Sequence, residues 1–110
     1  MISPTKSGKK SKLIYISGPI TGTYDYLIRF SIVEDDLKNK GYEVINPAAV
    51  NAKLPQTLSW DDFMYIDLAM LDVADTIYLM KGWENSRGAR CEAAYAIEHD
   101  MIVMKQENME

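Results

Sequence analysis

Cysteine occurs once in the sequence, as Cys91, so no internal disulfide can form, and a reducing cytoplasmic setting is the expectation. In GARCEAAYA this cysteine reads as a small buried apolar residue rather than a reactive thiol. Histidine also occurs once, as His99 near a helix end, with no second His or Cys at ligand spacing. That leaves no metal site to expect and no histidine for a Ser-His-Asp set. No apolar run approaches the roughly 20 residues of a membrane span, and MISPTKSGKKSK lacks the hydrophobic segment of a signal peptide. A membrane partner is therefore not expected. Glycine-rich phosphate loops are missing as well. Gly18-Pro19-Ile20-Thr21-Gly22 has neither a GK[ST] ending nor three-glycine spacing, which excludes the P-loop and dinucleotide fingerprints, and no cofactor is expected.

What is present is an ordinary globular composition, 47% hydrophobic and 25% charged over 110 residues, enough for one core but not two. The net charge is −4, yet Lys6, Lys9, Lys10 and Lys12 stand among the first twelve residues without an acid, leaving the rest at −8. Such an acidic body is ill suited to a phosphate backbone, so nucleic acid is not an expected partner, and residues 1–12 read as a solvated basic tail ahead of a domain over 13–110.

Hydrophobic patterning divides that domain into alternating elements. LIYIS at 13–17 reads as a buried strand breaking into the GPITG loop. Asp25 can cap a helix running to about Lys40, with Tyr26, Phe30, Val33 and Leu37 on one face and Gly41 placed to stop it. YEVIN at 42–46 forms strand two, ended by Pro47, and a loop rich in Asn, Pro and Gln follows. Ser59 and Asp62 suggest a capping box for a helix to about Asp72, carrying Phe63, Ile66 and Met70 on one face. TIYLM at 76–80 is strand three and KGWENSR a loop. Gly88 to about His99 is a helix with Ala89, Ala93, Ala96 and Ile97 toward the core, and MIVMK is strand four. Apolar strands alternating with helices predict an α/β fold, a small doubly wound, flavodoxin- or Rossmann-like parallel sheet of about four strands in the order 2-1-3-4. Ligands in such sheets bind beyond the carboxyl ends of the strands, here beside GPITG, the loop after strand three and the following helix.

Several residues near that rim can carry chemistry. Glu92 lies in the first turns of the last helix, near the edge of its alanine stripe, and the helix dipole with Arg87 and Arg90 favours its ionised form, as a nucleophile requires. The alternative is a solvated acid complementing the dipole. Asp67 can reach the rim from the preceding helix, whereas Asp72 and Asp75 mark either a site or a turn. Tyr15 in strand one is a core residue needing a hydroxyl partner. The GPITG glycines permit either close approach to a ligand or a tight turn. Trp60 and Trp83 can stack on a base, or close the core or an oligomer interface.

Taken together, YISGPITG, VINPA, WDDFMYID and GWENSRGARCEAAYA resemble the nucleoside 2-deoxyribosyltransferase-like superfamily, closest to a short bacterial and phage branch related to the 2′-deoxynucleoside 5′-phosphate N-hydrolases. The resemblance implies that Glu92, in a Ser/Asp-x-Gly-x-x-x-Glu segment with Ser86 and Gly88, attacks the anomeric carbon of a sugar. It also implies that Asp67 serves sugar and base handling or proton transfer, and that Tyr15 lies beside the nucleophile. Gly18, Pro19, Ile20, Thr21, Gly22, Ser86, Gly88 and Trp83 are the implied substrate-binding positions. Serine at 86 rather than Asp favours a phosphate-bearing substrate. The implied activity is cleavage of a (deoxy)nucleoside 5′-monophosphate by a homo-oligomer, with base exchange, a non-catalytic nucleotide-binding or regulatory module, and an interaction domain using Trp60 or Trp83 as the alternatives.

Overall fold

Runs of β-branched and aromatic residues set the strands, and helices with one apolar face fill the crossovers. The computed structural model describes residues 12–20 and 24–106. The expected basic tail, apart from Lys12, and the expected binding positions Thr21 and Gly22 lie outside the described residues. Strand β1 (Leu13–Ser17) leads to helix α1 (Tyr26–Asn39), then β2 (Glu43–Ile45), a short α2 (Pro47–Asn51), α3 (Trp60–Val73), β3 (Thr76–Leu79), α4 (Arg87–Glu98) and β4 (Ile102–Lys105). The strands are all parallel in the order β2-β1-β3-β4, with Tyr15 opposite Ile45 on one side and Ile77 on the other.

Alternation along β1 separates two cores. Ile14 and Ile16 pack with Phe30, Val33 and Leu37 of α1, whereas Tyr15 packs with Leu71 of α3 and with Ala93 and Ala96 of α4. Helices therefore cover both faces, as a parallel sheet requires. The chain changes sides between β1 and β3, which opens a crevice at the carboxyl ends of these strands.

Local signals account for most element ends. Ser59 accepts from the Asp62 amide while the Asp62 carboxylate accepts from the Ser59 amide, each at 3.0 Å, closing the capping box on α3. Gly41, at φ +97°, ends α1 in the left-handed region. Asp75 acts as a turn residue: its carboxylate accepts from the Leu13 amide and the Thr76 hydroxyl, tying the starts of β1 and β3 together.

Four sequence expectations are corrected. The stretch after Pro47 is not all loop, because Asn46 accepts from the Ala49 amide and Pro47 takes the first helical position, starting α2. The buried face of α3 is Met64, Asp67 and Leu71 rather than Phe63, Ile66 and Met70. On α4, Ile97 is 65% exposed, and Glu92 joins Ala89, Ala93 and Ala96 on the buried face. Cys91, beside Glu92, is exposed rather than buried. In both helices a carboxylate holds a core position, which hydropathy counting assigns to an apolar residue.

Among the described residues no helix is long and apolar enough to cross a membrane, and no group of three or more His, Cys, Asp or Glu side chains is disposed to hold a metal ion.

Candidate active site

The candidate site follows from these faces. Positions 15 and 17 share one side of β1, and Asp67 and Glu92 occupy the buried faces of α3 and α4 that pack on that side. Glu92 is 5% exposed and Asp67 6%. The Tyr15 hydroxyl donates to Glu92 Oε2 at 2.8 Å, and the Ser17 hydroxyl donates to Glu92 Oε1 at 2.6 Å. Asp67 lies within hydrogen-bonding reach of Glu92, and its Oδ1 accepts from Asn51 Nδ2 at 3.0 Å. The polar centre thus draws on β1, α2, α3 and α4.

Its electrostatics differ from the sequence expectation. Arg87 and Arg90 do not reach Glu92: the Arg87 guanidinium sits 3.7 Å over the Trp60 ring, and Arg90 donates to the Glu84 carbonyl. Burial outweighs the helix terminus, so Glu92 is pushed up to about 8, despite the opposing Ser17 and Tyr15 bonds and with help from the nearby Asp67 charge. Burial likewise raises Asp67, against the bonds to Asn51 and Glu92. The Tyr15 phenol is raised too, first by burial and then by the two carboxylates. Two buried carboxyls this close share a proton more readily than they both ionise.

Beside this centre lies a cavity of about 240 Å³, near the small end of ligand clefts. Tyr26, Phe30, Trp60 and Phe63 supply aromatic wall, and Asn51, Asp67, Ser86 and Glu92 supply polar groups. Asn51 Oδ1 is buried without a partner among the described residues, leaving an acceptor that a ligand N–H or O–H can satisfy.

The structure joins Tyr15 to Glu92 by a hydrogen bond and sets Asp67 beside Glu92, with Gly18, Ile20, Ser86 and Gly88 lining the cavity next to them. Gly18 has a packing reason of its own, since a Cβ there would come within 2.8 Å of Met80 Sδ. Ser86 caps α4 by accepting from the Ala89 amide at 3.2 Å. Pro19 does not line the cavity and faces Gly82 instead. Trp83 packs against the Tyr15 and Leu71 core, away from the cavity, whereas Trp60 is at its wall. His99 stacks on Tyr95 at the far end of α4. Sequence reasoning missed Ser17 and Asn51. A polar residue two positions from Tyr15 in an apolar strand was the available signal for the first, and Asn46-Pro47, a cap followed by proline at the first helical position, for the second.

Residues 12–105 match the family described as Domain of unknown function (DUF4406). The chain belongs to the DUF4406 family. No curated protein matches the DUF4406 chain by sequence. Among solved structures it is similar to the 2-desoxiribosyltransferase from Leishmania mexicana, with a TM-score of 0.64 and 19% identity over 86% of this chain and 63% of that one. The DUF4406 chain thus spans less than two thirds of that neighbour, and the likeness is one of fold.

Proposed function

We propose that this DUF4406 protein cleaves the N-glycosidic bond of a (deoxy)nucleoside 5′-monophosphate, with Glu92 as nucleophile and Asp67 as proton donor. The observation that carries the reading is the buried Glu92–Asp67 pair, held by Tyr15, Ser17 and Asn51 at the wall of an aromatic cavity. A planar base suits the Trp60 and Phe63 wall, and the unpartnered Asn51 Oδ1 suits an N–H or O–H of the substrate. Arg87, stacked on Trp60 without an acidic partner among the described residues, sets positive charge against the Trp60 wall of the cavity, and a 5′-phosphate could use it together with the Ser86 hydroxyl.

In the proposed reaction a Glu92 oxygen forms a bond to the anomeric carbon while the carbon–nitrogen bond breaks. Its electron pair leaves with the base, which takes the proton from Asp67. Oxocarbenium charge builds on the sugar as this happens, and the Glu92 carboxylate is in position to stabilise and trap it. Water then attacks the anomeric carbon, its proton passes to Asp67, and the ester electrons return to Glu92. Base exchange is the second reading, favoured by the name of the similar Leishmania enzyme: a second base replaces water in the last step.

The test is incubation with ribo- and deoxynucleosides and their 5′-monophosphates, with and without an acceptor base, followed by chromatography for free and exchanged base. Release that disappears in Glu92→Ala is the expected result. Equal release by both proteins, or no turnover of any panel member, overturns the proposal.

A further inference from the structure

We propose that Ser17 is a positioning residue that eases ionisation of Glu92 within the Glu92–Asp67 pair, so that the shared proton can pass to Asp67 and leave the nucleophile its carboxylate. The inference rests on the glycosidase reading of this site.

Ser17 closes an otherwise apolar strand end and is 0% exposed, an expensive place for a hydroxyl unless it is bonded. Its partner is Glu92 Oε1, at 2.6 Å, while Tyr15 takes Oε2 at 2.8 Å. Each Glu92 oxygen therefore accepts from one side of β1. Asp67 accepts from the Asn51 amide at Oδ1 and lies beside Glu92. A donor pointed at a carboxylate favours its ionised form, so the two hydroxyls oppose the burial that holds a proton on Glu92. The titratable groups acting on Glu92 are Tyr15 from β1 and Asp67 from α3, and the arginines of its own helix are engaged with Trp60 and the Glu84 carbonyl. Among the described residues no cation acts on Glu92 in place of the serine. Burial opposes ionisation throughout, so removing the Ser17 hydroxyl holds the proton more firmly on Glu92, which makes the nucleophile harder to form and denies Asp67 the proton it must donate.

The direct test needs no substrate. In protein labelled with carboxyl-13C glutamate, the Glu92 resonance, assigned by its loss in Glu92→Gln, is titrated in wild type, Ser17→Ala and Ser17→Thr. The expected result is a midpoint raised by about one pH unit in the alanine variant, the scale of a hydrogen bond to a charged group, and returned toward wild type in the threonine variant. In parallel, base release from an equimolar mixture of the four deoxynucleoside 5′-monophosphates should show the acid limb of kcat displaced upward in Ser17→Ala, with KM little changed. A midpoint that does not move, or moves equally in both variants, overturns the proposal. The shift without base release by wild type counts against the glycosidase reading and leaves the Ser17 assignment standing. Glu92-dependent release with an unmoved midpoint does the reverse.

Discussion

Helices α3 and α4 are joined to tyrosine–carboxylate chemistry at both ends, and the two ends behave differently. At the inner end Tyr15 donates to Glu92 among buried groups, and at the outer end Tyr95 of α4 donates to Asp72 of α3 in the open. Both phenols are raised, Tyr95 first by its bond to Asp72 and Tyr15 first by burial. The outer pair is a strap between helix ends, fully answered within the fold. The inner pair is crowded by a second carboxylate, without a cation acting on Glu92 among the described residues, beside a cavity. Burial, rather than the bonded groups themselves, separates the structural link from the candidate site.

Substitutions can break or sharpen this contrast. The largest effect is expected from Glu92→Gln, which removes the nucleophile and should lower base release by on the order of 10⁴-fold in the chromatographic assay. Asp67→Asn keeps the shape but removes the proton, for a loss of roughly 10²-fold in kcat.

Stability should follow pH at the inner end. Glu92 is raised in the fold from its ordinary 4.5 to about 8, so the folded state binds the extra proton and stability falls as pH rises through that window. Urea unfolding at pH 5 and pH 8 should therefore differ by on the order of 3 kcal/mol in wild type, and by much less in Glu92→Gln. Tyr15→Phe, leaving Glu92 with Ser17, is expected to reduce kcat about tenfold. The matching outer change, Tyr95→Phe, should leave base release unchanged. A loss from Tyr95→Phe as large as that from Tyr15→Phe would erase the distinction between the two ends.

Much of the fold was legible from spacing. The Ser59–Asp62 capping box, the Gly41 stop and the apolar runs fixed element order, and parallel crossovers implied the observed strand order. The inward faces of α3 and α4 were harder to read, because hydropathy treats every carboxylate as a solvent group. On α3 this moved the expected face by one position from Met64, Asp67 and Leu71, and on α4 it promoted Ile97 in place of Glu92. Glu92 was still identified as a candidate, through its helix-end position and the motif with Ser86 and Gly88. Its ionisation was misread, since the sequence displays Arg87 and Arg90 nearby but not that Trp60 and the Glu84 carbonyl engage them. Ser17 stayed hidden because a serine ending a strand resembles the start of a loop.

The two bonds that fix Glu92 join residues 77 and 75 positions apart in the chain. Contacts of such separation close most of the chain into a loop, at a cost in chain entropy that local contacts do not carry. Until α4 docks, the Tyr15 and Ser17 hydroxyls at the centre of the sheet have no carboxylate to bond and depend on water. The carboxylate centre therefore exists only when β1 and α4 are docked on each other, and no segment of the chain shorter than the span between them can hold it.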